Sequence, residues 1–224
     1  MDPSTMVKST SPGYVLLDPR PIATAVPYTF FLPNTDELAA LASGDLVQLM
    51  FEHVPSGHKW GVERMWVTVN TLDAKGLTGT LVNNPLEPTA SVRAGDLIRF
   101  ARYNVIGVNW ANPEVAPPPT VRREYWERCL VDDCVLDGTE PVEFIYREAP
   151  SMDEGGNKYP DSGWRIRGRM GDATNEEANA RKPQDVSIGA VLNRDDSWLH
   201  LIDTPVGVRL MRDFQKNVYV NEVG

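Results

Sequence analysis

The 224-residue chain carries 31 acidic against 22 basic side chains, a formal charge of −9, which argues against sequence-independent binding to a phosphate backbone. Hydrophobic residues at 42% and charged residues at 24% lie near the globular averages of roughly 45–50% and about 25%, so the chain is expected to fold throughout, as one large domain or two of about 100 residues. No run approaches 18 apolar residues and no basic stretch precedes an apolar core at the N-terminus, so neither membrane spanning nor export is expected, and a cytoplasmic location is.

Residues 1–27 are rich in Pro, Ser and Thr, and Asp18-Pro19-Arg20-Pro21 suits an extended leader. A first, β-rich module is expected over 28–112. Tyr28–Leu32 reads as a strand, and Asn34 to Glu37 offers a capped start for a short helix over Leu38–Ala42. Strands are then expected at Leu46–Glu52, Arg64–Leu72, Leu77–Val82 and Leu97–Tyr103. The phrase Gly-Asp-apolar-apolar recurs at Gly44-Asp45 and Gly95-Asp96. Glycine permits an unusual backbone angle there and aspartate can bond nearby amides, so two such turns point to a small barrel or a curved sheet. Trp60, Met65, Trp66, Phe100 and Trp110 are the large apolar candidates for its core.

Four prolines within Asn112–Thr120 favour a semi-rigid spacer, placed at 113–120. The second module, 121–224, reads as a mixed sheet with short helices, which makes the whole chain α+β. Cys129–Leu136 and Val142–Arg147 flank Asp137-Gly138-Thr139-Glu140-Pro141 in the pattern of a hairpin with a five-residue loop. A strand is expected at Trp164–Arg169, a helix at Thr174–Arg181 with Thr174 and Glu177 at capping-box spacing, short helices or one broken helix at Val186–Asn193 and Asp196–Ile202, and strands at Val206–Phe214 and Val218–Val220. Of the charges, 8 basic and 11 acidic residues precede Val121 and 14 and 20 follow, giving −3 and −6. The second module therefore carries most of the excess.

The only cysteines, Cys129 and Cys134, lie too far apart for a disulfide if the run between them is extended. With three histidines (His53, His58 and His200) and no second cysteine pair, ligands at zinc spacing are lacking, and no metal or cofactor is expected. No Gly-x-Ser-x-Gly elbow, phosphate loop or dinucleotide fingerprint occurs. Ser162, between Asp161 and Gly163, reads as a turn residue rather than a nucleophile. The carboxylate pairs Asp132-Asp133, Asp153-Glu154, Glu176-Glu177 and Asp195-Asp196 read as solvated. Arg165, Arg167 and Arg169 alternate and share one face on a strand; in an acidic module without interleaved aromatics they are expected to pair with carboxylates rather than with nucleic acid. No catalytic set is assigned.

The ordered phrases Cys129-Leu130-Val131, Tyr146-Arg147-Glu148, Asp161-Ser162-Gly163-Trp164-Arg165, Leu192-Asn193, Leu201 to Gly207 and Arg212-Asp213 resemble a bacterial family of unknown biochemical function grouped with toxin-immunity proteins, over about residues 126–220. The chain departs from that family where Arg167-Gly168-Arg169 makes the stretch after Trp164 basic. Residues 28–110, with Glu63 to Val67, Leu77 to Pro85 and Gly95-Asp96, resemble a second, uncharacterised small bacterial family. The first resemblance implies a non-catalytic protein that blocks a cognate bacterial toxin by occlusion. Its partner face is expected at Asp161, Trp164, Arg165, Arg167 and Arg169, with Asp172, Glu176 and Glu177 steering a basic toxin; Trp164 reads more readily as core. A small-ligand-binding or regulatory protein using a cleft between the modules is the alternative, and a hydrolase a more distant one. The oligomeric state is not legible.

Overall fold

The computed structural model describes residues 13–56, 59–73, 76–152 and 158–222; His58 and the pair Asp153-Glu154 lie outside them. The chain divides into two compact units. One comprises residues up to Thr24 together with Phe31–Val121, and the other Ala25–Phe30 together with the chain from Arg122 onward.

In the first unit, β1 (Tyr14–Leu16) and α1 (Arg20–Ala25) occupy the region expected to be extended. Pro21 is tolerated because it stands in the first helical turn, where its missing N–H is not needed. The segment Tyr28–Leu32 is a turn and irregular chain instead of a strand. Helix α2 (Thr35–Ala40) begins one turn before the apolar run, since Asn34 and Glu37 form a reciprocal capping box. There follow β2 (Leu46–His53), β3 (Val62–Asp73), β4 (Gly76–Leu81), β5 (Leu97–Phe100) and β6 (Val105–Asn109). β2 to β5 form an antiparallel meander. A 3-10 turn at Arg102–Asn104 then returns β6 onto β2, where it runs in line with β1 along one edge. This curls the sheet around a core of alternating inward side chains, among them Val47, Leu49, Phe51, Met65, Val67, Leu81, Ile98 and Phe100.

Two devices hold the curl. Gly44 and Gly95 both have φ near the left-handed region, at 96° and 95°. Asp45 accepts the amides of Ala42 and Ala111, and Asp96 that of Arg93, so the repeated phrase works at both turns as its chemistry suggests. Buried Asn104 accepts the Ala101 amide and donates to the Leu17 carbonyl, which ties the 3-10 turn to the end of β1. β6 was not foreseen: its central Gly107 and the run of Val105, Ile106 and Val108 around it hide the alternation. Trp60 is a correction in the other direction, since it stays 42% exposed.

The second unit contains β7 (Arg128–Asp132), α3 (Asp133–Asp137), β8 (Val142–Arg147), β9 (Asp161–Gly168), α4 (Asn175–Ala180), β10 (Pro183–Ser187), α5 (Ile188–Leu192), β11 (Arg209–Asp213) and β12 (Val218–Asn221). Its sheet order is β10-β7-β9-β8-β11-β12, with β7 and β9 parallel and every other pair antiparallel. The expected hairpin between β7 and β8 does not form, because β9 lies between them. Gly138, read as a hairpin turn, instead closes α3 in a left-handed conformation at φ 74°. Cys134 therefore sits on a helix, and both cysteines are free thiols. Burial pushes the Cys129 thiol above its ordinary range. The α3 and α5 side chains Val135, Val191 and Leu192, with Trp198 and Ile202, cover one face of the sheet over Val131, Ile145, Trp164 and Ile166.

The segment Ala25–Phe30 acts as a strap of this unit. The Asn193 side chain accepts the Tyr28 amide at 2.9 Å and donates to Thr29 Oγ1 at 2.7 Å, while the Tyr28 hydroxyl donates to Asp196 at 2.7 Å. Burial and that carboxylate push the Tyr28 phenol up to about 12. Gly189 leaves the room: a Cβ there would stand 2.8 Å from the Tyr28 carbonyl oxygen. A fragment starting at Thr120 lacks the strap, so its urea midpoint is expected to fall below that of this unit in the intact chain. Asn193→Ala in the intact chain should reproduce much of the loss, about 1–2 kcal/mol for two half-buried partners left without it. Equal midpoints for fragment and intact chain would show the strap to be dispensable.

Candidate functional site

Strand β9 is the middle of the second sheet and carries most of the expected site. Its first residues bulge against β7, where Arg128 pairs with Asp161 but Leu130 already pairs with Arg165. Gly163 makes the bulge at φ 81°, and any side chain there would collide with the Glu148 carbonyl. The bulge aims Asp161 inward. Its carboxylate accepts the amides of Ser151, Met152 and Gly163 and two N–H groups of Arg165. Arg165 also donates to Glu148 at 2.7 Å and to Ser151 Oγ. Burial alone would raise the Asp161 pKa, but Arg165 and the three amides outweigh it and hold the carboxyl well below the usual range. The Asp161 and Arg165 side chains are 3% and 4% exposed, so the pair holds the loop 148–152 to the sheet and offers nothing directly to a partner.

Trp164 is fully buried. Its indole N–H donates to the Ile202 carbonyl and its ring meets Trp198 edge-on at 5.4 Å, so the core reading of Trp164 holds and the anchor reading does not. Ser162 Oγ donates to the Arg128 carbonyl, a structural bond.

The face opposite the helices is differently made. Arg165 and Arg167 stand on it, as alternation requires, whereas Arg169 lies beyond the strand end with its guanidinium 4.7 Å from the Phe214 ring. The three arginines do not form one stripe. Register places Tyr146 opposite Arg165 and Arg209, and Phe144 opposite Arg167 and Met211. Phe144 and Tyr146 stack at 5.4 Å, half-buried, and exposed Arg209 lies 5.2 and 5.4 Å from their centroids. Val218 and Val220 extend this apolar surface along β12, both more than two-fifths exposed. Beside Tyr146 the sheet dips into a cavity of about 150 Å³ bordered by Leu130, Arg165, Arg167, Arg181 and Pro183.

Helix α4 sits at the margin of this face. Arg167 donates to Asp132 and to the Ala178 carbonyl, and Arg181 donates to the carbonyls of Gly168 and Arg169, so the basic residues pin the helix by pairing internally. Asp172 and Glu176 project to solvent. Glu177 does not act as a free charge: it accepts the amide and hydroxyl of Thr174, and these bonds hold its pKa below the ordinary value. Sequence reasoning found β9 and α4 but missed Phe144, Tyr146 and Arg209. The i, i+2 spacing of Phe144 and Tyr146 on an expected strand, with Ile145 between them, was the available signal for the first two; the pairing of β8 with β11 that brings Arg209 over them had none. Among the described residues no group of three or more His, Cys, Asp or Glu is placed to hold a metal.

Removing the Asp161 charge takes away the buried half of Arg165's pairing and leaves it only Glu148 as a carboxylate partner, so Asp161→Asn is expected to destabilise the second unit by about 3 kcal/mol, the scale for breaking a buried pair. The sign with pH follows from the lowered pKa: the stabilisation is complete above the unfolded value near 4 and fades as pH falls through the folded one. The variant should therefore lose part of the acid dependence of stability below about pH 4, measured by urea titration from pH 2 to 7. An unchanged curve would remove Asp161 from its central place.

Comparison with protein families matches residues 129–222, from β7 through β12, to the Immunity protein Imm33 domain. No curated protein and no solved structure matches the chain. The match supports an immunity-type second unit; it begins after the strap and does not extend to the first unit.

Proposed function

We propose that the protein is a non-catalytic immunity protein that neutralises a cognate bacterial toxin by occluding it. The observation that carries the reading is the match of residues 129–222 to an immunity protein domain. The outer face of the sheet supports it: tyrosine, phenylalanine and arginine, side chains that concentrate binding energy at interfaces, lie together on a strand pair, while among the described residues of this unit α3 and α5 pack on the other face. Asp161, Trp164 and Arg165 serve as the frame behind that face, while Arg167, Arg169, Asp172, Glu176 and Glu177 make its rim around α4. With 14 basic and 20 acidic residues after Thr120, a basic toxin is the partner that charge steering favours, with the effect screened over roughly 8–10 Å at ordinary ionic strength.

Co-expression with the toxin encoded beside it tests the reading. The intact protein should bind that toxin and restore growth. Tyr146→Ala combined with Arg209→Ala should weaken binding by roughly a hundredfold, about 3 kcal/mol, through faster dissociation, while the melting curve stays close to that of the parent. Asp172→Lys with Glu176→Lys should slow association several-fold at low salt and much less at high salt. Glu177 is left in place in this test because its reversal would break the cap of α4. A chain that neither binds nor protects against its neighbouring toxin would end the proposal, and full affinity in the folded double variant would move the face elsewhere.

A further inference from the structure

The first unit contains a groove of about 580 Å³, within the range of roughly 300–1,000 Å³ typical of ligand sites. Its walls include β1 and β5, each of which has one strand neighbour among the described residues, β2 and β4 respectively. Backbone alternation decides which groups face it. The Gly13 carbonyl accepts the Val54 amide and the Leu17 amide donates to Met50, so odd-numbered residues of β1 bond to β2 and the N–H and C=O groups of Tyr14 and Leu16 point away. Asp96 accepts the Leu81 amide, so even-numbered residues bond to β4 and those groups of Leu97 and Arg99 point away. Tyr14, Leu16, Leu97 and Arg99 all line the groove.

Two strand edges on one groove, unpaired among the described residues, present a row of backbone donors and acceptors that another extended chain satisfies in register. Side chains narrow the choice. Phe100 and Tyr103 supply aromatic surface beside Leu16. Arg99 is exposed on β5 and has no ion-pair or hydrogen-bond partner among the described residues. We infer that the first unit is a peptide-binding module whose groove accepts an extended segment of a partner protein as an added strand, with a carboxylate of that segment on Arg99. This rests on the first unit alone and is independent of toxin neutralisation.

A displayed library of random nonapeptides, selected on the full-length protein and counter-selected on its Leu97→Pro variant, tests it. Proline at an outward-facing edge position removes a donor that the sheet does not use, so the variant should keep its melting curve. If that variant fails to fold, Arg99→Glu, at an exposed site, takes its place. Enriched sequences should alternate apolar and polar residues around an Asp or Glu. Synthetic copies should lose affinity roughly tenfold or more when alternate amides are N-methylated, and on Leu97→Pro. Arg99→Glu should come to prefer the copy carrying Lys in place of the acidic residue. The proposal is overturned if no sequence is enriched over the variant, if affinity survives N-methylation, or if the parent is a dimer that Leu97→Pro splits, which would make a second copy the occupant.

Discussion

The second unit depends on how one strand, β9, carries charge through the middle of a sheet. Burying a carboxylate or a guanidinium alone costs several kcal/mol, and β9 holds both within five residues. The solution is the bulge at Gly163, which lets Asp161 collect three amides and a forked guanidinium at one place. Two residues further on, Arg167 meets Asp132, which also accepts the Gly168 amide. The sheet is thus organised by polar contacts on one face and by the Trp164–Trp198 core on the other.

That division accounts for the shape of the proposed partner face. Because the helices take the Trp164 side, Phe144, Tyr146 and Arg209 stand on the opposite side, and the arginines on it are already oriented by carboxylates or aromatic rings, Arg209 by Glu222 as well as by the two rings. Side chains held in place before contact lose less entropy on binding, which suits the proposed occlusion of a partner. The same economy explains why α4 stays where it is despite its length of six residues: a capping box fixes its start, and Arg167 and Arg181 hold its end.

The first unit solves a different problem, that of closing a short meander. Paired Gly-Asp turns and the Asn104 bridge curl the sheet, but β1 and β5 remain edges. Natural proteins usually blunt such edges. Here Arg99 is a charge of the blunting kind, yet it borders a groove of ligand size, and this is why the edge reads as a site.

Much was legible locally. The capping boxes at Asn34 and Thr174, the two Gly-Asp turns, the α+β class and the strands at β2 to β5, β9, β11 and β12 follow from short-range chemistry: side chains bonding amides a few residues away, and alternation along a buried strand. Long-range pairing was not legible. Gly138 suits a hairpin turn and a helix end equally, so nothing in the order of residues announces that β9 separates β7 from β8. Trp164 as core and Trp164 as anchor have the same sequence. Tyr28 and Asn193 stand 165 positions apart and are joined by a single side-chain amide, which no local pattern encodes. The sequence by itself determined the composition, the charge and the local punctuation of the chain; tertiary structure alone decided which arginines were spent on carboxylates and which aromatics were left facing outward, because those outcomes depend on strand order, set by the packing of the whole sheet rather than by any segment of it.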